Sequence, residues 1–146
     1  MRIYLDNCCL QRPLDDQSNP RVRIETEAVF VVLAAVRAGD LSLMGSEALD
    51  YEVGRIPDEA RRLEVMSILS LATEHLPVTD LIESLAESFA ARGIAAMDAV
   101  HLALASNAHA DFFCTCDDKL FQKARVIPNL SCHVVTLLGI VPEVLK

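Results

Sequence analysis

The stretch Arg2-Ile3-Tyr4-Leu5-Asp6-Asn7 decides the fold, because it is a short apolar run that ends in a carboxylate. Continuous apolar runs are typical of strands that are covered on both faces of a sheet. In a parallel α/β sheet, ligands bind outside the carboxyl ends of the strands. Asp6 is therefore a candidate for chemistry, and the alternative is a solvated or turn-forming aspartate. Other acids at the same edge would favour the first interpretation.

The remainder of the chain alternates short apolar runs with helical patterns. Further strands are predicted at 41–44, 76–78, 111–115 and 131–136, and helices at 21–38, 46–56, 58–74, 80–92, 94–110 and 117–124. The polar stretch 7–18 is predicted to be a loop, and the residues after 136 a tail. Repeated strand-helix order predicts one α/β domain over residues 1–146, with three layers and a five-stranded parallel sheet between helices.

Composition restricts the class of protein. The chain has 146 residues, which suits one domain. The longest apolar run covers only residues 28–36, whereas a membrane span needs about 20 residues. No signal peptide is visible, so we expect a cytoplasmic protein. The five cysteines fit buried free thiols. A zinc site would need a second Cys/His pair at ligand spacing, which His101, His109 and His133 do not offer.

Net charge narrows the choice of partners. The formal charge is −8 and the pI is about 4.9. An acidic surface argues against broad, sequence-independent binding of a nucleic-acid backbone. It does not exclude nucleic acid held at a metal site, where bound cations offset the acids. It also suits a basic protein partner.

Several acids are expected at the edge where Asp6 leaves the first strand. Helices that cross back over a parallel sheet run opposite to the strands, so each helix begins at the carboxyl edge. Asp117 and Asp118 follow the fourth strand, and Asp98 lies in the first turn of the helix before it. That helix is apolar nearly all round, which predicts burial. The alternative for Asp98 is an acid that only stabilises the helix start, by about 0.3–1 kcal/mol.

The helix after the second strand contributes Glu52. At about 100° per residue, Glu52 falls within an apolar stripe, whereas Glu47 and Asp50 point the other way. A glutamate in such a stripe is costly unless it is paired or binds a cation. The alternative is an ion pair with Arg55 or Arg61.

The chain with Asp6, Glu52, Asp98 and Asp117 resembles the PIN domain family, which includes metal-dependent ribonuclease toxins of the VapBC type. The features that carry the resemblance are Leu5-Asp6-Asn7, the spacing from Ser46 to Glu52, the segment from Met97 to Ala103, and Thr115-Cys116-Asp117 with Asp118 and Leu120. The resemblance implies a Mg²⁺ or Mn²⁺ site at the carboxyl edge, RNA as substrate, a cognate antitoxin as partner and frequent dimerisation. The Asp117-Asp118 pair leaves the fourth ligand open, and the long stretch from Cys8 to Ser18 departs from the compact toxins.

The chemistry of these residues agrees with the resemblance. Oxygen ligands select hard cations such as Mg²⁺ and Mn²⁺, which activate water for attack on phosphate without a covalent nucleophile. Asp6, Glu52 and Asp98 are expected to hold one metal and Asp117 to complete the site or hold a second. Supporting roles fall to Asn7, Thr115, Asp118 and His101. The expected phosphate contacts are Arg12, Arg21, Arg23, Lys119 and Lys123, although a solvated side chain is the alternative for each.

Other functions fit the sequence less well. A P-loop nucleotidase is excluded by the missing GxxxxGK, and a Rossmann dehydrogenase by the missing GxGxxG. A phosphatase of similar architecture would carry Asp-x-Asp after the first strand, where this chain has Asp6-Asn7-Cys8. A non-catalytic PIN-like module for RNA or protein binding remains as the alternative of a different class. A test for metal binding separates it from the nuclease.

Overall fold

The computed structural model describes all residues, 1–146, as an α/β fold. The strands are β1 (Arg2–Leu5), β2 (Ser42–Ser46), β3 (Glu74–Leu76), β4 (Phe112–Thr115) and β5 (His133–Thr136). The helices are α1 (Asn7–Gln11), α2 (Pro20–Ala38), α3 (Glu47–Gly54), α4 (Glu59–Leu69), α5 (Asp80–Ala90), α6 (Ala96–Asn107), α7 (Asp118–Ala124) and α8 (Leu137–Val144), with a 3₁₀ turn at Arg12–Leu14. All strand pairs are parallel, in the order β3-β2-β1-β4-β5. The predicted three-layer α/β/α fold is confirmed.

Strand β1 lies at the centre of this sheet. Its register pairs Ile3 with both Leu43 of β2 and Phe112 of β4. The side chains of Ile3, Tyr4 and Leu5 are fully buried, as expected for a strand covered on both faces. Helices α2 and α8 pack together, as do α5 and α6. No helix combines the length and the apolar character that crossing a membrane requires.

The strand order places β1 at a topological switch point. From β1 the chain moves outward to β2 and β3, and then returns to the other side of β1 as β4 and β5. A crevice forms outside the carboxyl ends of the strands where the order reverses, and ligands of open α/β sheets bind there. The crevice lies between the end of β1 and the end of β4. Asp6 follows β1 directly, and Asp117 lies two residues after the end of β4.

Side chains that accept backbone N–H groups begin most of the helices. Asn19 caps α2 with Pro20 at the first helical position, and Ser46 caps α3 through the N–H of Leu49. Thr79 caps α5 through the N–H of Ile82. Gly39 ends α2 with a φ of 84°, a left-handed conformation that favours glycine.

Two predictions of irregular structure were wrong. The predicted loop 7–18 begins with α1 and continues into the 3₁₀ turn; a five-residue helix is too short to show an apolar period. The predicted tail after 136 forms α8, capped by Thr136, although Gly139 and Pro142 within it disfavour helix. The prediction missed it for that reason.

Several boundaries also differ from the prediction. Strand β3 ends at Leu76 instead of beginning there, since Pro77 has no N–H to continue the ladder. The helices predicted at 46–56, 58–74 and 94–110 are shorter and cover Glu47–Gly54, Glu59–Leu69 and Ala96–Asn107. Helix ends fray, and a periodic pattern does not fix the terminal residue.

Candidate metal centre

Asp6 is the most enclosed carboxylate of the site, with 5% of its surface exposed. It caps α1 by accepting from the N–H of Asn7 at 2.8 Å, and its other oxygen accepts from the Thr115 hydroxyl at 2.9 Å. Burial is the largest cause of a pKa raised to about 7, followed by the neighbouring Cys8 thiol, while His101 and the Thr115 hydrogen bond oppose the shift. This carboxylate is held firmly and is costly to ionise without a cation.

Glu52 reaches the same place from α3. Its side chain is half-buried and bonds His101 Nε2, whereas Glu47 and Asp50 of the same helix are exposed. The alternative partners for Glu52 are engaged elsewhere: Arg55 donates to Tyr51, and Arg61 pairs with Asp15. Oxygens of Asp6 and Glu52 and a ring nitrogen of His101 lie within 4.8 Å of one another.

A buried chain of hydrogen bonds fixes His101. Its Nδ1 lies 2.6 Å from the Tyr4 hydroxyl, which lies 2.7 Å from the Ser46 hydroxyl. When His101 is neutral and Glu52 is ionised, the chain is satisfied with Ser46 donating to Tyr4, Tyr4 to Nδ1, and Nε2–H to the carboxylate. Burial raises the Tyr4 pKa well above its usual value, so the hydroxyl keeps its proton. Both nitrogens of His101 are therefore occupied, and the residue orients Glu52.

Asp98 and Asp117 lie outside this compact group but close enough to act on it electrostatically. Asp98, in the first turn of α6, is half-buried, and its pKa is raised to about 6. Burial is the largest cause, and the charges of Asp6 and Asp117 come next, with a smaller contribution from Glu52. Asp117 is exposed and caps α7 by accepting from Lys119 and Leu120. The charges of Asp6, Asp117 and Glu52 therefore all act on Asp98.

Asp118 points away from this group and is bound elsewhere. Arg21 holds both of its oxygens at 2.8 Å, which lowers the pKa of this exposed carboxyl. Of the two adjacent acids, Asp117 is the one with a charge that acts on Asp98. This geometry favours Asp117 as the fourth acid.

The predicted phosphate contacts fall into two groups. Arg12 is not solvated: it pairs with the buried Glu25 at 2.8 Å and with Asp15, and Arg21 also bonds Glu25. Both arginines are therefore engaged in ion pairs within the protein. Arg23 and Lys119 are exposed, and Lys123 donates to the Gly93 carbonyl.

Asn7 carries a buried oxygen, Oδ1, with no hydrogen-bond partner. Buried polar atoms are nearly always satisfied, so an orphaned oxygen beside Asp6 indicates a missing partner. A hydrated cation fits this observation. The carboxylates of Asp6 and Glu52 lie in the compact group, and oxygen donors of this kind fit a hard divalent ion such as Mg²⁺ or Mn²⁺.

A thiol cluster adjoins the carboxylates. The sulfurs of Cys8, Cys9 and Cys116 lie within 4.8 Å of one another. All five cysteines are free thiols, but only Cys9 and Cys114 are buried as predicted, and the other three are half-buried. Hydrogen bonds from Cys8 and Cys9 are the main causes that lower the Cys116 pKa to about 5, and the positive charge of Arg12 adds to them. Cys8 also contacts Asp6, at 3.5 Å.

Reasoning from the sequence missed Tyr4, Ser46 and this thiol cluster. The sequence indicates Tyr4 only as part of an apolar strand, and Ser46 only as a helix cap and as the start of the spacing to Glu52. A tyrosine hydroxyl on a buried strand usually has a hydrogen-bond partner, and this was the available signal for Tyr4. The thiols gave no signal, because more than 100 positions separate Cys8 from Cys116 and only the pairing of β1 with β4 joins them.

Comparisons with known proteins bear on the fold. No protein-family model and no curated protein matches this sequence. Among solved structures, the chain is similar to one in the crystal structure of VapBC2 from Rickettsia felis bound to a DNA fragment from their promoter. The TM-score is 0.55 at 14% identity, over 93% of this chain and 98% of that chain. At this identity the similarity establishes the fold alone.

Proposed function

We propose that this protein is a metal-dependent endoribonuclease of the PIN type that hydrolyses RNA phosphodiester bonds as the toxin of a toxin–antitoxin pair. The observation that carries the proposal is that carboxylate oxygens of Asp6 and Glu52 lie within 4.8 Å of each other at the topological switch point, where the charges of Asp6 and Asp117 also raise the pKa of Asp98. No arginine or lysine pairs with Asp6, Glu52 or Asp98, and the one basic neighbour is His101, which bonds Glu52. Clustered acids with so few cationic partners are typical of sites for divalent cations.

Each acid has a role that its surroundings support. Asp6, Glu52 and Asp98 would hold the cation, and Asp117 would complete the site. Thr115 positions Asp6 through its hydroxyl, and His101 positions Glu52. Such supporting contacts usually matter nearly as much to a metal site as the ligands themselves.

The reaction needs no covalent nucleophile from the protein. When bound, a divalent cation supplies a Lewis acid that polarises the phosphate and activates water. The chain itself supplies ligands in fixed orientations and an acidic edge that repels RNA in the absence of metal. Arg23 and Lys119 are exposed cations with which the chain could contact phosphate.

The proposed partners follow from charge and fold. The formal charge of −8 suits a basic antitoxin, and the fold neighbour belongs to a VapBC complex on promoter DNA. We also propose a homodimer, as the PIN resemblance implies.

The experiment is cleavage of a panel of single-stranded and structured RNAs by purified protein in Mn²⁺, in Mg²⁺ and in chelator. We expect cleavage that requires the cation and is lost in Asp6→Asn. Asp40→Asn is the matched control, since Asp40 is an exposed aspartate before β2, at the opposite edge of the sheet. Intact RNA throughout, together with Mn²⁺ binding that Asp6→Asn does not weaken, would contradict the proposal. Intact RNA with Asp6-dependent Mn²⁺ binding would instead indicate a non-catalytic module.

A further inference from the structure

The thiols beside the proposed metal centre form a cluster with no assigned role. Cys8 lies in the first turn of α1 and Cys116 directly after β4, so the two cysteines flank the crevice from the two strands that create it. Cys8 Sγ accepts from the N–H of Cys116 at 3.4 Å. Its sulfur also lies 3.6 Å from the Thr115 hydroxyl and 3.5 Å from the Asp6 carboxylate. The cluster therefore contacts the residues that hold Asp6.

We propose that Cys8 and Cys116 are an oxidative modification site that closes an intramolecular disulfide in the presence of a hydroperoxide. A disulfide needs sulfurs about 2.0 Å apart, and rotation about χ1 moves Sγ between staggered positions while the backbone stays in place. The sulfurs already lie within 4.8 Å of each other.

The reaction balances with hydrogen peroxide as the oxidant. One thiolate sulfur attacks a peroxide oxygen, the O–O bond breaks, and a sulfenic acid and a hydroxide form; the hydroxide takes up the proton that the thiol released and becomes water. The second thiolate sulfur then attacks the sulfenic sulfur, the S–O bond breaks, and the S–S bond forms as a second water leaves. Two thiols and one peroxide give one disulfide and two waters. A dithiol reductant reverses the bond by exchange.

Exposure selects the pair within the cluster. Cys8 and Cys116 are each half-buried, so a small oxidant can reach them, whereas Cys9 is fully buried. The Cys9 sulfur also points at the Cys114 carbonyl, at 3.4 Å. Cys132 is half-buried before β5 and outside the cluster, and it provides a matched control.

The bond would change the metal centre, and this part of the inference rests on the proposed function. Closing the disulfide removes the Cys8 hydrogen bond to Asp6 and ties α1 to the segment that carries Asp117. Contacts that orient ligands typically alter metal affinity about 10–100-fold when they are lost. We therefore expect oxidised protein to bind Mn²⁺ about tenfold or more weakly than reduced protein. Oxidation would therefore inhibit metal binding at the site.

The decisive experiment is mass spectrometry of reduced and peroxide-treated protein, with peptide mapping without reductant. We expect a monomer that is lighter by two hydrogen atoms and a peptide containing Cys8 joined to one containing Cys116. Cys8→Ser and Cys116→Ser should each abolish this product, whereas Cys132→Ser should keep it. Unmodified thiols, sulfinic acid alone, a Cys9–Cys116 bond or a cross-link between two chains would overturn the assignment. So would stoichiometric zinc in the purified protein that is released by oxidation, because the cluster would then be a metal site.

A second readout separates this inference from the proposed function. Wild-type protein is oxidised, desalted and titrated with Mn²⁺ beside its reduced form, so no variant has to fold. Strong binding by reduced protein and weak binding by oxidised protein supports inhibition of metal binding by oxidation. Equal binding by both forms overturns this inhibition while leaving the proposed function intact. If neither form binds Mn²⁺, the metal centre and its inhibition are both contradicted, and only the mass-spectrometry result bears on the disulfide.

Discussion

Tyr4 holds His101, and through it the Glu52 carboxylate, in one orientation. Its hydroxyl is fully buried between Ser46 and His101 Nδ1, and a proton donor at this position fixes the tautomer that presents Nε2–H to Glu52. Without the hydroxyl, the ring nitrogen of His101 would face apolar surroundings. Position and tautomer are thus set by a strand residue that touches neither Glu52 nor Asp6 by hydrogen bonding.

We predict that Tyr4→Phe destabilises the protein by about 1–3 kcal/mol, the cost of leaving a buried acceptor unsatisfied. Urea unfolding measures the change. Tyr51→Phe is the control, since Tyr51 is exposed in α3 and should stay within about 0.5 kcal/mol of wild type. Equal stabilities for the two variants would show that the Tyr4 hydroxyl holds nothing in place.

We also predict that Glu52→Gln abolishes cation-dependent RNA cleavage while Glu47→Gln retains it. Both residues lie in α3, but only Glu52 is half-buried beside His101, whereas Glu47 is exposed. Cleavage rates in Mn²⁺ for the two purified variants test the assignment. Loss of activity in Glu47→Gln alone would show that the face of α3 that carries Glu47, and not the face that carries Glu52, lies at the site.

At the scale of single residues, the direction of a charged side chain is easier to predict from the sequence than the residues that hold it in place by hydrogen bonds. The helical period is enough to turn Glu52 inward and Asp50 outward, because a helix fixes the direction of each side chain. The role of Tyr4 could not be predicted, since it depends on Ser46 and His101 arriving from other elements. The choice between Asp117 and Asp118 likewise depends on Arg21, which is 97 positions away from Asp118.

At the scale of elements, the stretch after β1 is held by ion pairs across segments. Glu25 of α2 is 3% exposed and accepts from both Arg12 and Arg21, and Arg61 of α4 donates to Gln11 and the Leu14 carbonyl. These bonds keep α1 and the 3₁₀ turn beside the crevice. They explain why a polar stretch that reads as a loop is ordered: its partners lie in other helices, which a local pattern does not reveal.

The end of α2 allows a test of backbone strain. Gly39→Ala should destabilise the protein by about 1 kcal/mol, because Gly39 has a φ of 84° and any Cβ is strained there, although no atom lies within 4 Å of the added carbon. Gly54→Ala should instead stabilise it by about 0.4–1 kcal/mol, since Gly54 is helical with equally open space. Thermal unfolding of both variants measures the difference. A Gly39→Ala protein as stable as Gly54→Ala would contradict the left-handed cap.

At the scale of the whole molecule, the sheet order creates the site. The alternation of strands and helices is enough to predict a parallel sheet and which strand ends carry acids. Strand order itself could not be predicted, since it depends on which crossovers the core selects. The observed order puts β1 beside β4, and this adjacency brings Asp6 and Asp117 to the same crevice.

The assembled acids should make the metal-free protein sensitive to pH. The folded pKa values of Asp6 and Asp98 are raised from 3.8 to about 7 and about 6. An acid with a raised folded-state pKa stabilises the folded state when it is protonated. Its contribution to the free energy of unfolding is therefore complete below about pH 4 and is lost as pH rises through the folded pKa. In chelator, stability should therefore fall between about pH 4 and pH 7, by up to about 1.4 kcal/mol per pH unit for each carboxyl. Urea unfolding across this range tests it, and a flat profile would contradict the coupling.

The central claim is that the acids at the switch point form a site for a divalent cation, and thermal melts of wild type and Asp98→Asn in chelator and in excess Mn²⁺ at pH 7.5 test it most directly. Removing one charge should make metal-free Asp98→Asn melt above metal-free wild type. Mn²⁺ at a hundredfold excess over its dissociation constant should stabilise wild type by about 2.7 kcal/mol, and the variant by less. Asp40→Asn should match wild type in both conditions. A variant that melts below wild type in chelator and keeps the full response to Mn²⁺ would show that Asp98 only supports the start of α6, and would contradict the claim.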